Sequence, residues 1–132
     1  MATSGSVTTN KISRSHFYVD WQQSSQSIAN NTTKINWQAG LYTGTSTSHD
    51  EFYRNAVKLK SVVINGTTVY SNGTFSNITS GGKNQLASGT LDIPHNSDGT
   101  KSFSISVAGW TYSSSNYSGS DTFTLDAIPR QA

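Results

Sequence analysis

Ser102-Phe103-Ser104-Ile105-Ser106-Val107 decides the reading of this chain. Apolar and hydroxyl side chains alternate strictly over six residues. In a β-strand successive side chains point to opposite faces, so this stretch has one greasy face and one wet face. A helix would scatter the same residues around its axis. The pattern recurs on both sides. Upstream, Phe17, Val19 and Trp21 alternate with Tyr18 and Asp20, and Ile35, Trp37, Ala39 and Leu41 alternate with Asn36, Gln38 and Tyr42. Val62 and Ile64, Val69, and the short pair Leu91 and Ile93 follow. Downstream, Phe123 and Leu125 close the set.

The turns between these runs agree. Asn65-Gly66 separates two apolar runs by two residues that tolerate positive φ, which is a strong hairpin signal. His95-Asn96-Ser97-Asp98-Gly99 is a longer turn, in which Asn96 and Asp98 can bond their own backbone and Gly99 can turn left-handed. Ala and Leu are sparse, Glu51 is the single Glu, and no window holds a helical period. The expectation is an all-β fold. It is an antiparallel β-sandwich of six to eight strands, immunoglobulin-like or jelly-roll-like, with Trp21 and Trp37 in its core. Residues 44–56, 76–88 and 109–119 break the alternation and are expected to be polar loops.

The chain has 132 residues, the size of one domain. Apolar residues make up 33% and charged residues 12%, yet 3 Trp, 6 Tyr and 5 Phe are present and the net charge is only +2. Disorder calls for few aromatics and high charge, so the composition implies a folded domain with a thin core and a neutral surface. Residues 1–132 form a single module, with 128–132 expected to begin a linker. Lys and Arg are scattered, which argues against a nucleic-acid partner. No segment approaches the roughly 20 apolar residues of a membrane span, and Met1 to Asn10 lacks the apolar core of a signal peptide. Cys is absent, which fits folding in a reducing cytoplasm. Six Asn-X-Ser/Thr triplets, at Asn30, Asn31, Asn65, Asn72, Asn77 and Asn116, follow from a composition rich in all three residue types.

Catalysis has little to work with. The acidic residues are Asp20, Asp50, Glu51, Asp92, Asp98, Asp121 and Asp126. Asp50 and Glu51 are adjacent and point opposite ways on an extended chain, so no facing carboxylate pair is indicated. No acid, base and nucleophile constellation stands out, and the expectation is a protein that is not an enzyme and needs no cofactor. His16, His49 and His95 are far apart, without a second ligand at a diagnostic spacing, so no metal site is expected.

Aromatics in polar surroundings carry more information. Trp110, Tyr112 and Tyr117 lie among Ser, Thr, Gly and Asn, and Phe52 and Tyr53 lie beside His49, Asp50 and Arg54. An exposed ring offers a flat apolar face to the C–H side of a sugar, while neighbouring polar groups bond its hydroxyls. Trp110, Tyr112, Tyr117 and Tyr53 are the expected stacking rings. His49, Asp50 and Arg54 are the expected hydrogen-bonding groups for hydroxyls or a phosphate substituent.

Four stretches resemble the β-sandwich domains of siphophage minor structural proteins, found in phages of Gram-positive bacteria. They are residues 25–32 (SQSIANNT), 62–66 (VVING), 95–107 (HNSDGTKSFSISV) and 119–130 (GSDTFTLDAIPR). The resemblance covers nearly the whole chain and is most specific in the second half. It implies a module of a longer tail, baseplate or neck protein, made in the host cytoplasm and carried on the virion. It further implies a non-catalytic carbohydrate-binding module whose partners are host cell-wall polysaccharide and other virion structural proteins. The alternative is an immunoglobulin-like spacer or decoration domain without a ligand. The motif residues themselves read as turn and sheet residues, so the resemblance transfers the fold and not a binding site.

Overall fold

A computed structural model describes residues 3–9, 16–43, 57–74, 82–111 and 114–129. Eight strands run in order β1 (Ser4–Thr8), β2 (His16–Ser27), β3 (Thr32–Thr43), β4 (Val57–Ile64), β5 (Thr67–Thr74), β6 (Gly82–Pro94), β7 (Ser102–Thr111) and β8 (Ser114–Thr124). They form two four-stranded antiparallel sheets, ordered β1-β2-β3-β6 and β5-β4-β7-β8. Each long connection returns a strand beside one three places earlier, β6 beside β3 and β7 beside β4. This is a Greek-key connection wrapped across two layers.

Both sheets pack their apolar parity inward. Phe17, Val19 and Trp21 of β2 and Ile35, Trp37 and Leu41 of β3 meet Leu59, Val62 and Ile64 of β4 and Phe103, Ile105 and Val107 of β7. Burying a side chain of this size is worth about 1.5–3 kcal/mol. A thin core therefore suffices because nearly every inward position is filled. The hydroxyls that alternate with it face water, and Ser102 Oγ and Thr124 Oγ1 sit 2.9 Å apart on neighbouring strands.

The Asn65-Gly66 hairpin has φ of 52° and 79°, both positive, as a two-residue primed turn needs. Two segments expected to be loops are mostly strand. Residues 82–88 belong to β6, and residues 109–111 and 114–119 form the β7–β8 hairpin. Both β6 and β8 lie at sheet edges, where a strand is paired on one side only and needs less apolar alternation. β1 is a further edge strand, without an apolar repeat of its own beyond Val7.

The last described residues, 125–129, are also tied down. Ile128, expected to begin a linker, is 2% exposed. Its N–H donates to the Gly99 carbonyl, and Leu125 N–H donates to Lys101. The turn it meets is held by several hydrogen bonds. His95 Nδ1 donates to Gly99 O at 2.7 Å, Thr33 Oγ1 lies 2.6 Å from His95 Nε2, and the Asp98 carboxylate accepts from Thr100 N and Oγ1. Asn31, itself left-handed at φ 55°, reaches across with its carboxamide to the carbonyls of His95 and Asn96. Residues 95–100 are thus a structural clamp. Asp98 is spent on the turn and His95 on its neighbours.

Candidate functional site

The outward face of the first sheet gathers an unusual set of side chains. Because Phe17, Val19 and Trp21 point inward, His16, Tyr18, Asp20 and Gln22 point outward. On β3 the same parity presents Lys34, Asn36, Gln38, Gly40 and Tyr42. Register then sets His16 beside Tyr42, Tyr18 beside Gly40, Asp20 beside Gln38, and Gln22 beside Asn36. On the other flank Lys83 of β6 pairs with Tyr42, beyond a bulge at Ala39/Gly40.

At one end of this face the rings cluster. His16 and Tyr42 stack with centroids 5.1 Å apart and planes 19° from parallel. Lys83 reaches diagonally past Gly40, placing its ammonium 4.9 Å from the Tyr18 ring centroid and pairing with the Asp20 carboxylate. The other Asp20 oxygen accepts the Ser6 hydroxyl at 2.6 Å. The Lys83 and Asp20 side chains are 54% and 23% exposed, so the ion pair is worth no more than about 1 kcal/mol. Its effect is positional: it holds a cation over a ring. Tyr18 is 3% exposed although it points away from the core cluster.

The Tyr18 phenol, ordinarily near 10, is pushed up to about 12 by its burial and, second, by the Asp20 carboxylate. The fold therefore favours its protonated form. That contribution to stability is complete below the unfolded value near 10 and is lost as the pH climbs from there through about 12. A spectroscopic titration of tyrosinate should show one late-ionising tyrosine that Tyr18→Phe removes. The variant should also lose less stability over that alkaline window.

The residues expected to form the site are divided by the structure. Trp110 is half-buried on the outward face of the second sheet, with Lys58 as its cross-strand neighbour. Tyr117 points the other way. It pairs with Gly109, is 8% exposed, and packs against Phe17 with centroids 6.3 Å apart. Tyr117 is therefore a core residue and offers no face to a ligand. Its inward parity was hidden because Gly119 and Asp121 stand between it and Phe123 at the inward positions of this edge strand. Tyr112, Tyr53, His49, Asp50 and Arg54 lie outside the described residues. Among the described residues no group of three or more His, Asp or Glu could hold a metal ion. Sequence reasoning passed over His16, Tyr18, Tyr42, Asp20 and Lys83. The available signal was an aromatic at the outward parity of two strands, Tyr18 and Tyr42, where a half-buried strand usually carries a polar residue.

By architecture the domain is an antiparallel β-sandwich with a polar and aromatic outer face. Residues 10–132 match the family described as "Siphovirus protein of unknown function (DUF859)", and the chain belongs to that family. It is a siphophage protein. No curated protein matches it, and no solved structure does.

Proposed function

We propose that this domain is a non-catalytic carbohydrate-binding module of a phage virion structural protein that grips host cell-surface polysaccharide during adsorption. The observation that carries this reading is the outward face of the first sheet. There the stacked His16–Tyr42 pair adjoins the Asp20–Lys83 ion pair and the planar amides of Gln38, Asn36 and Gln22. Rings take the C–H faces of a sugar, and amides, carboxylate and ammonium take its hydroxyls.

The connectivity supports the same end of the sandwich. The chain leaves the first sheet at Thr43, next to Tyr42, and enters the second at Val57, which pairs with Thr111. Gly109 lies against the Phe17 ring, so these strand ends are neighbours. The described strand ends that bracket His49, Asp50, Tyr53 and Arg54, and those that bracket Tyr112, both lie there. These residues, with Trp110, remain in the proposal as further contacts.

One such site is weak, because a short saccharide offers little area beyond the cost of immobilising it. Many copies on one particle turn weak contacts into firm attachment. Fluorescently tagged domain should label intact Gram-positive cells. Tyr42→Ala should lower the apparent affinity about tenfold, roughly the 1.4 kcal/mol of one stacking platform, while thermal unfolding stays close to wild type. A panel of host strains that all stay dark would leave the spacer reading in its place.

A further inference from the structure

A second feature lies on the same face, near its far end. Lys34 of β3 and Asp92 of β6 are direct cross-strand partners, a spacing at which side-chain Cβ atoms stand about 5 Å apart. Opposite charges so placed usually close on each other. Here they make no ion pair among the described residues. Instead they flank a hollow of about 190 Å³ lined by Ser25, Ser27, Asn30, Thr32, Lys34 and Asp92.

The hollow has an identifiable cause. β2 carries a bulge between Gln23 and Ser25, and a bulge bends its strand and re-aims the side chains beyond it. The Ser27 oxygen accepts the Asn30 N–H at 3.1 Å, which leaves its own proton free to donate. The lining is thus one cation, one anion, three hydroxyls and an amide, with no net charge and no aromatic ring.

We infer that this hollow is a subsite for one uncharged pyranose ring. This rests on the saccharide reading above and extends it. Adjacent sugar hydroxyls can donate together to the Asp92 carboxylate, and Lys34 and the serines can donate to ring and hydroxyl oxygens. A phosphate would gain Lys34 but meet Asp92, so the matched charges select a neutral ring. Lys34 and Tyr42 are eight residues apart on β3, about 27 Å at the rise of an extended strand. Asn36, Gln38 and Gly40 occupy the outward positions between them. A ligand touching both ends is therefore an extended polysaccharide lying along the strands and not a single terminal sugar.

The test is a nuclear magnetic resonance titration of the whole domain with glucose, galactose, rhamnose, N-acetylglucosamine and N-acetylgalactosamine, and separately with inorganic phosphate. At least one neutral sugar should shift the backbone amides of Ser25, Ser27, Lys34 and Asp92. Asp92→Ala should abolish those shifts, and Tyr42→Ala should leave them intact. Three results would overturn the inference. Sugar-induced shifts confined to the His16–Tyr42 end would remove the subsite and leave the proposed function standing. Shifts at Lys34 with phosphate alone would make it an anion site. No shift with any sugar, together with unlabelled cells, would remove the subsite and the saccharide reading together.

Discussion

Trp21→Ala should destabilise the domain by about 3–5 kcal/mol, the usual loss for truncating a buried Trp. Single domains have only about 5–15 kcal/mol to lose, and the melting temperature should fall by about 10–20 °C. The size of the effect follows from what the indole joins. Trp21 stands on the first sheet, and Phe103 and Phe123, cross-strand partners on the second, close on it edge-on. The centroid distances are 5.1 Å and 5.2 Å and the interplanar angles 75° and 66°. One ring therefore links β2, β7 and β8 across the interior. β1 leans on the same cluster, since a Cβ on Gly5 would sit 2.5 Å from the Phe123 ring and 2.8 Å from Trp21 Nε1. No side chain of a neighbour can fill so large a gap without moving a strand. Trp21→Phe should cost much less, because the buried Nε1 has no hydrogen-bond partner among the described residues to lose. Calorimetric or denaturant unfolding of the two variants decides this, and equal losses would show that packing is not the cause.

His95→Ala should cost about 2–4 kcal/mol through a different mechanism, the orphaning of buried polar groups at about 1–3 kcal/mol each. Thr33 is fully buried. Its Oγ1 accepts from Gln26 Nε2 at 3.1 Å, so its proton is directed to His95 Nε2. Without the imidazole that proton has no acceptor. The Gly99 carbonyl loses one of its two donors and keeps only the Ile128 N–H. The same Gln26 amide also donates to Asp126 O at 2.9 Å, so the damage spreads into the C-terminal segment. Hydrogen exchange should report it there: the Ile128 amide should lose protection in the variant well before the amides of β3 and β7 do. His95→Gln, which can still donate to Gly99, should recover part of the loss.

Much of the architecture was legible because the central strands carry full apolar alternation. Phe103, Ile105 and Val107 need only the two-residue period of a strand, and Asn65-Gly66 needs only the φ requirement of a tight turn. Edge strands were legible only in part. β1 has Val7 as its one apolar side chain in the core, and the inward parity of β8 passes through Gly119 and Asp121, so Tyr117 read as a loop ring when it is a core ring. The polar and aromatic face was half legible. Alternation sends Tyr18 and Tyr42 outward, but only register shows that His16 meets Tyr42 and that Lys83 arrives from a strand over forty residues downstream. The hollow at Lys34 and Asp92 arises from a bulge, an extra residue without a composition signal of its own.

Gly119 backs onto the Thr8 carbonyl, and Gly5 onto Phe123, so the first strand touches the last. A ribosome making this protein must deliver the chain as far as β8 before Trp21 has its cover. Until then the aromatic seam of Trp21 and Phe103 stays open to water. A fragment ending short of Phe123 leaves that seam open.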